Sequence, residues 1–265
     1  MASYPNTVKS FATHVDNSGE FVMAAHINDI QAEVAAVESQ LITSKLNTWT
    51  NDGWIPASGS WTINTAASGI INVPDSSIFD IGNPVKLTNS SVKQFYVVAK
   101  PSSTTITVYA GSDFALVGAA GTALTACFYS KVATPLGFLQ WFNYTPTISG
   151  GTLGNGTRIA RFALFGRSVH LQFMFTLGST SAISGDFYFT FPIQAANVMP
   201  NFNAQLNQSG VNNFLGLTDA TSSACYIRAL QVTGSQVILQ NLSSTFPWSW
   251  KTNDYLRTSG WYEIA

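Results

Sequence analysis

The chain has 265 residues, of which 46% are apolar and 13% aromatic but only 9% charged, against about 25% in an ordinary globular domain. Most of its polarity comes from 29 Ser, 27 Thr, 19 Asn and 11 Gln. This composition excludes an intrinsically disordered chain, which combines high charge with few aromatic residues. The net charge of -1 argues against a nucleic-acid-binding protein, which needs a basic surface.

The N-terminal part predicts an attachment arm followed by a helix. Residues 1–20 are rich in Pro, Asn, Thr and Ser and predict an extended arm. Residues 21–46 predict a helix, because apolar residues recur at alternating spacings of four and three. This apolar seam comprises Met23, Ile27, Ile30, Val34, Val37 and Leu41.

The seam predicts an oligomerisation helix. β-branched residues occupy both kinds of core position, which disfavours a two-stranded coiled coil and favours three or four strands. We therefore expect a short coiled coil of three or four helices. The alternative is a single helix that lies against the chain's own sheet.

Residues 47–133 predict a small β-module of short strands separated by turn residues. Residues 134–147 follow as a linker, whose aromatic residues indicate that it is packed. The strands predicted in the module are Trp61–Asn64, Ile70–Val73, Pro84–Thr88, Lys93–Ala99, Thr104–Tyr109 and Ala123–Ser130.

Residues 148–265 show longer alternation of apolar and polar residues, with no helical pattern between the runs. A mainly β chain ending in an antiparallel, jelly-roll-like β-sandwich is therefore the expected fold. The predicted strands are Arg158–Phe165, Val169–Thr176, Asp186–Ile193, Phe202–Asn207, Cys225–Val232, Gln236–Leu242 and Gly260–Ile264.

The chain offers few residues for catalysis. Its three histidines are scattered, and no G-x-S-x-G motif occurs, so we expect no catalytic residues, no metal and no cofactor. A glycosidase pair in the last domain is an alternative, although a capping role at turns is the ordinary explanation. Its acids would come from Asp186, Asp219, Asp254 and Glu263.

Four residues near the C-terminus have the character of a binding surface: Trp248, Trp250, Tyr255 and Arg257. Aromatic side chains in loops stack on sugar rings or anchor protein contacts, and arginine forms charge-assisted hydrogen bonds to acidic groups. The residues predict a contact to a host glycan or to a partner protein. The alternative is that the aromatic residues close the end of the sandwich.

Cellular context follows from what the chain lacks. No apolar run approaches the roughly 18 residues of a transmembrane helix, so we expect no membrane insertion. Residues 1–10 do not resemble a secretory signal. Cys127 and Cys225 are expected to be buried free thiols in a chain made in a reducing cytoplasm.

Three parts of the chain resemble structural proteins of tailed bacteriophages. In the arm and helix the resemblance lies in Tyr4-Pro5-Asn6 and Ala24-Ala25-His26-Ile27-Asn28-Asp29-Ile30. In the middle it lies in Phe95-Tyr96-Val97-Val98, Gly111-Ser112-Asp113-Phe114 and Phe128-Tyr129-Ser130-Lys131. In the last part it lies in Trp141-Phe142-Asn143-Tyr144-Thr145-Pro146, Leu153-Gly154-Asn155-Gly156-Thr157 and Gly166-Arg167-Ser168-Val169-His170.

The resemblance implies a virion protein of the fibre, minor-tail or head-decoration type, made in the host cytoplasm. It implies a homotrimer whose arm contacts other virion proteins and whose last domain contributes to host attachment. It carries over no catalytic residues. Two alternatives stay open, a passive decoration or tail component without a ligand, and a depolymerase that acts on surface glycan.

Overall fold

The computed structural model of the protein describes residues 28, 30–37, 52–196 and 202–264, and these residues are mainly β. Residues 28 and 30–37 are helical, and Ala66–Ser68 form a short 3₁₀ helix. A helix is therefore present inside the predicted span 21–46. The predicted arm, together with Met23, Ile27 and Leu41 of the seam, lies outside the described residues.

The first sheet closes into a barrel. In spatial order the strands run β1, β7, β2, β3, β6, β5, β4, and β4 also pairs with β7, so that strands β2 to β7 form a six-stranded barrel. The strands are β1 (Ile55–Pro56), β2 (Trp61–Thr65), β3 (Ile70–Asn72), β4 (Pro84–Asn89), β5 (Ser91–Ser102), β6 (Thr105–Tyr109) and β7 (Ala123–Tyr129).

A bulge in β7 allows this closure. Between the pairs Thr88 with Thr125 and Lys86 with Phe128 the register shifts, and Ala126 adopts a positive φ of 46°. An extra residue on one strand bends it and increases its twist. The bent β7 can thus pair with β2 near one end and with β4 along its length.

The second sheet has ten antiparallel strands. Its spatial order is β8, β10, β11, β17, β13, β14, β15, β12, β9, and β16 pairs with β15 outside this path. The strands are β8 (Phe142–Asn143), β9 (Ile148–Thr152), β10 (Thr157–Phe165), β11 (Ser168–Thr176), β12 (Ala182–Thr190), β13 (Asn203–Gln208), β14 (Asn212–Ala220), β15 (Ala224–Thr233), β16 (Gln236–Asn241) and β17 (Tyr255–Glu263).

This second sheet curls so that its inner face meets itself. Phe173 on β11 stacks on Phe189 on β12, with ring centroids 3.9 Å apart and planes within 5°. The two strands are five steps apart in the sheet order. Both rings are buried, as is Phe175, which contacts Phe187 edge-on. The core of the C-terminal part therefore lies between the two ends of one sheet.

The barrel packs directly against the second sheet. The ring of Tyr109 stacks on Phe162 at 5.6 Å, and the carboxylate of Asp113 accepts hydrogen bonds from the backbone N–H and side-chain amide of Asn143. Gly82 approaches Gly166 so closely that a Cβ at Gly82 would lie 2.2 Å from the carbonyl oxygen of Gly166. This junction fixes the barrel beside one end of β10.

Candidate functional site

The outer face of five adjacent strands carries the most binding-like surface among the described residues. On β10, β11, β17, β13 and β14, alternate side chains point into the core, and the others point outward. The strand register places Ile159, Met174, Arg257, Gln205 and Leu215 in one outward row across the five strands. The neighbouring row contains Arg161, Gln172, Ser259 and Asn203.

These two rows line a concave region that we call the outer groove, with a volume of about 700 Å³. Asn213 and Phe214 on β14 complete one wall. The lining combines amide and hydroxyl groups with the apolar side chains of Ile159, Met174 and Leu215. Such a mixture of apolar surface and a few oriented polar groups is typical of small-molecule and saccharide sites.

Two arginines in the outer groove are oriented by glutamines. Arg161 donates its Nε–H to Oε1 of Gln172 at 2.8 Å, and Arg257 donates its Nε–H to Oε1 of Gln205 at 2.6 Å. Each pair is a directly opposed cross-strand pair. The two ion pairs within the described part of the chain involve other residues. Both guanidinium groups are thus held in place without a neutralising carboxylate.

A row of rings, which we call the aromatic row, lies beside the outer groove. His170 stacks on Trp261 with centroids 4.3 Å apart and planes within 11°, and Trp141 lies 4.8 Å from His170. Phe165 extends the row at 5.6 Å from Trp261. Trp261 is 53% exposed. The row therefore offers a large indole to a ligand on the surface of the protein.

The aromatic row and the outer groove are joined by direct contacts. The guanidinium of Arg161 lies 4.8 Å from the ring centre of Trp141, within the range of a cation–π interaction. Nε2 of His170 lies 3.3 Å from Oγ of Ser259, which lines the groove. The two features therefore form one continuous surface.

His170 is expected to be neutral at pH 7. Burial of the ring and, secondarily, the positive charge of Arg161 lower the pKa of His170 below its ordinary value of 6.5. A neutral imidazole stacks on Trp261 and contacts the tilted ring of Trp141 with less desolvation cost than an imidazolium. The permanent positive charge of this surface therefore comes from the arginines.

The structure separates the four sequence-predicted contact residues. Arg257 lies in the outer groove. Tyr255 precedes it by two positions on β17, and the Arg257 guanidinium lies 5.7 Å from the centre of the Tyr255 ring. Trp248 and Trp250 contact each other at 4.8 Å in a loop before β17. Trp248 is buried and packs on Phe214.

The two loop tryptophans use their indole N–H groups inside the protein. Trp248 donates to Oδ2 of Asp254 at 2.9 Å, and Trp250 donates to the carbonyl oxygen of Ser243 at 2.9 Å. Their positions agree with the alternative in which these aromatic residues close one end of the C-terminal part. Trp248 supports the groove wall from behind through Phe214.

Asp254 is fully buried and its carboxylate is saturated with hydrogen bonds. Oδ1 accepts from the backbone N–H of Ser209, and Oδ2 accepts from the N–H groups of Trp248 and Lys251. A carboxylate in this state joins the β13–β14 turn to the loop before β17 and has no access to a substrate. Asp219, another acid considered for a glycosidase pair, forms an ion pair with Arg228.

Sequence reasoning did not single out Trp141, Trp261 or Gln205. Outward alternation on the strands was a usable signal for Arg161 and His170, but it gives no information on which strands are neighbours. Within the described ranges, no group of three potential metal-ligating side chains occurs. Nor does any helix in the described ranges have the length and apolar character needed to cross a membrane.

Comparison with protein-family models, curated proteins and solved structures gave no match.

Proposed function

We propose that the chain is a non-enzymatic structural protein of a tailed-bacteriophage virion, a homotrimer that contributes to attachment to the host surface. In this proposal the arm joins other virion proteins and the helix trimerises. The barrel acts as a spacer and the second sheet faces the host. The resemblance of three successive segments of the sequence supports the virion assignment.

One observation carries the adhesive part of the proposal: the outer groove and the aromatic row form a continuous exposed surface. An exposed indole can stack on a sugar ring, and the amides, hydroxyls and guanidinium groups can bind sugar hydroxyls. Individually weak contacts become effective when several copies bind one surface. We infer that a host-surface glycan is the ligand of this face.

The described part of the helix supports assembly. Ile30, Val34 and Val37 are 60%, 41% and 58% exposed in the single chain. Aliphatic side chains at heptad spacing that stay exposed indicate a surface for partner helices. We propose that this helix forms the short trimeric coiled coil, with Met23, Ile27 and Leu41 in the same seam.

A second apolar surface supports assembly independently. Leu230 pairs with Leu239 and Val232 with Val237 on one face of the β15–β16 hairpin. All four are exposed. Among the described strands, β16 pairs only with β15, and it carries no charged residue, although edge strands are usually protected by charges. We infer that this face contacts a neighbouring subunit.

We also propose that the curled sheet is a jelly-roll-like sandwich. The stacking of Phe173 on Phe189 supports two facing layers, because these residues lie on strands far apart in the sheet order. Inner faces that interdigitate in this way make the core of a sandwich.

The function is tested by locating the protein on the particle and measuring its adsorption. Antibody labelling of intact virions is expected to mark a tail or fibre tip, and the purified trimer is expected to adsorb to host envelope. Trp261→Ala should reduce adsorption about tenfold, since a stacked aromatic contact is lost. Leu136→Ala, at a residue 76% exposed and outside this face, should leave it unchanged.

Other outcomes favour the alternatives. Labelling over the head together with no adsorption would identify a passive decoration protein and overturn the attachment role. Release of reducing ends from host polysaccharide by the purified chain would identify a depolymerase and overturn the non-enzymatic assignment.

A further inference from the structure

The residues that line the outer groove indicate which chemical class of glycan it binds. We propose that it selects polysaccharides that carry carboxylate groups, and that Arg161 and Arg257 each bind one carboxylate. This inference rests on the proposed function, since it specifies the ligand of the same surface.

Both guanidinium groups are oriented by neutral partners and keep their charge. Gln172 and Gln205 accept the Nε–H of Arg161 and Arg257, respectively, and thus fix both side chains. The terminal Nη groups stay available, and they form the planar donor pair that fits a carboxylate. A neutral glutamine orients the arginine without reducing its charge, whereas a carboxylate partner would orient and neutralise it.

The lining of the outer groove differs in charge from the chain as a whole. The residues that line the outer groove include two arginines and no acidic residue, although the chain as a whole has a net charge of -1. Arg228, by contrast, is paired with Asp219. This concave surface therefore carries a net positive charge, which favours an anionic ligand.

The spacing of the two arginines favours a polymer over a single acidic sugar. Arg161 on β10 and Arg257 on β17 are separated by β11, and they belong to adjacent outward rows. Two strand spacings give about 9.6 Å across the sheet, and one row adds about 7 Å along it. Because Arg257 is also held toward Gln205 on β13, on the side of β17 away from Arg161, this backbone separation favours acid groups on different units of one chain over a single carboxylate.

The rest of this surface fits sugar better than nucleic acid. Ser259, Asn203 and Asn213 line the groove between or beside the arginines and suit sugar hydroxyls. Trp261 presents a flat apolar ring at the adjoining aromatic row. The groove lining holds only these two cations, which is fewer than a phosphate backbone usually contacts.

The test uses the full chain and matched polymers. Binding is measured by calorimetry or surface plasmon resonance to polygalacturonate and to the same polymer after reduction of its carboxyl groups. Neutral dextran, polyglutamate and dextran sulfate are the comparison probes. Polygalacturonate is expected to bind at least tenfold more tightly than its reduced form, and mono-galacturonate much more weakly than the polymer.

Arg161→Gln and Arg257→Gln are each expected to weaken binding of polygalacturonate by about tenfold, because a charge-assisted hydrogen-bond pair is lost. Arg167→Gln removes the same charge from an exposed turn outside the groove and should have no effect. Circular dichroism and the thermal unfolding midpoint check that all three variants fold.

Four other results would contradict the inference, and each leads to a different conclusion about the ligand or the function. Equal binding of the native and reduced polymers, still sensitive to Trp261→Ala, would remove acid selectivity but keep the proposed attachment function. Equal or tighter binding of polyglutamate would identify an acidic protein as the ligand class, and preference for dextran sulfate would identify sulfate as the recognised group. Failure to bind any polymer, together with no adsorption to host envelope, would overturn the attachment function itself.

Discussion

Trp248 and Asp254 form a buried hydrogen bond of 2.9 Å that connects the loop before β17 to the start of that strand. The same carboxylate accepts backbone N–H groups of Ser209, in the β13–β14 turn, and of Lys251. The β13–β14 turn and the loop before β17, which are distant in sequence, are thus joined by one acidic side chain. The groove wall formed by Phe214 rests on Trp248, so this cluster supports the candidate site as well as the fold.

Asp254→Ala is therefore expected to destabilise the protein strongly. The substitution leaves three N–H groups in a buried region without their acceptor, which we expect to cost about 3 kcal/mol or more. The midpoint of urea denaturation, monitored by tryptophan fluorescence, measures this loss. Asp219→Asn removes a partly exposed ion pair and should cost less than about 1 kcal/mol. Equal effects of the two substitutions would contradict a structural role for Asp254.

The close approach of Gly82 and Gly166 gives a second stability prediction. Gly82 has a φ of 89°, and a Cβ added there would lie 2.2 Å from the carbonyl oxygen of Gly166. Gly82→Ala must therefore separate the barrel from the second sheet or distort the turn. We expect a loss of about 2 to 3 kcal/mol in the free energy of unfolding, read from denaturant titrations.

Gly121 provides the matched control for this substitution. It has nearly the same φ, 86°, but no atom lies within 4 Å of its added Cβ. Gly121→Ala should therefore carry only the conformational cost of about 1 kcal/mol. If both alanine variants lose the same stability, the contact between the two glycines does not contribute.

Much of the strand pattern follows from side-chain alternation. In β11, buried Val169, Leu171, Phe173 and Phe175 alternate with partly exposed residues, and the predicted strand matches the observed one within one residue. The mainly β character, which was predicted from the same kind of alternation, is confirmed. Local alternation reports burial on one face of a strand directly, whatever the strand's neighbours are.

The parts that sequence reasoning missed depend on long-range pairing. Strand β14 was not predicted, because Gly216 and Thr218 occupy inward positions where apolar residues would have marked the face. The outer groove and the aromatic row require the registers of β11 with β17 and of β17 with β13. His170 and Trp261 face each other although 90 residues separate them, and no local pattern reports such a pair.

His170 gives the protein a predictable response to acid. The pKa of His170 is lowered in the folded state, first by burial and second by Arg161, whereas its ordinary value is 6.5. The unfolded chain therefore takes up the proton first as pH falls, and folding loses stability from about pH 6.5 down to the lower folded pKa. Above pH 7 the contribution is fully present.

The measurement is the thermal unfolding midpoint between pH 7.5 and 5.5. The wild-type midpoint should fall more steeply than that of His170→Gln, which cannot titrate. The groups that face the ring are Trp141, Trp261, Ser259 and Arg161, and among these only Arg161 is charged. Glu263 on β17 pairs with Ser168, which precedes His170 by two residues on β11. Glu263→Gln therefore serves as the control for a carboxylate near the ring. Parallel slopes for wild type and His170→Gln would refute the assignment.

The last prediction concerns assembly through the two apolar surfaces. Ile30→Asp combined with Val34→Asp places charges in the helical seam and should dissociate the trimer, as measured by size-exclusion chromatography with light scattering. Val237→Lys places a charge on the exposed face of edge strand β16 and should weaken the same assembly through an independent contact. Burying an unpaired charge in an apolar interface is unfavourable in both cases.

Val117→Asp is the matched control, because Val117 is an exposed valine (61%) in the barrel and outside both surfaces. It should leave the molar mass unchanged. A wild-type chain that stays monomeric at all concentrations while its helix is formed would falsify the assembly role of the seam. A trimer that survives the helix substitutions but dissociates with Val237→Lys would assign assembly to the β15–β16 hairpin alone, since only that surface would then hold the subunits together.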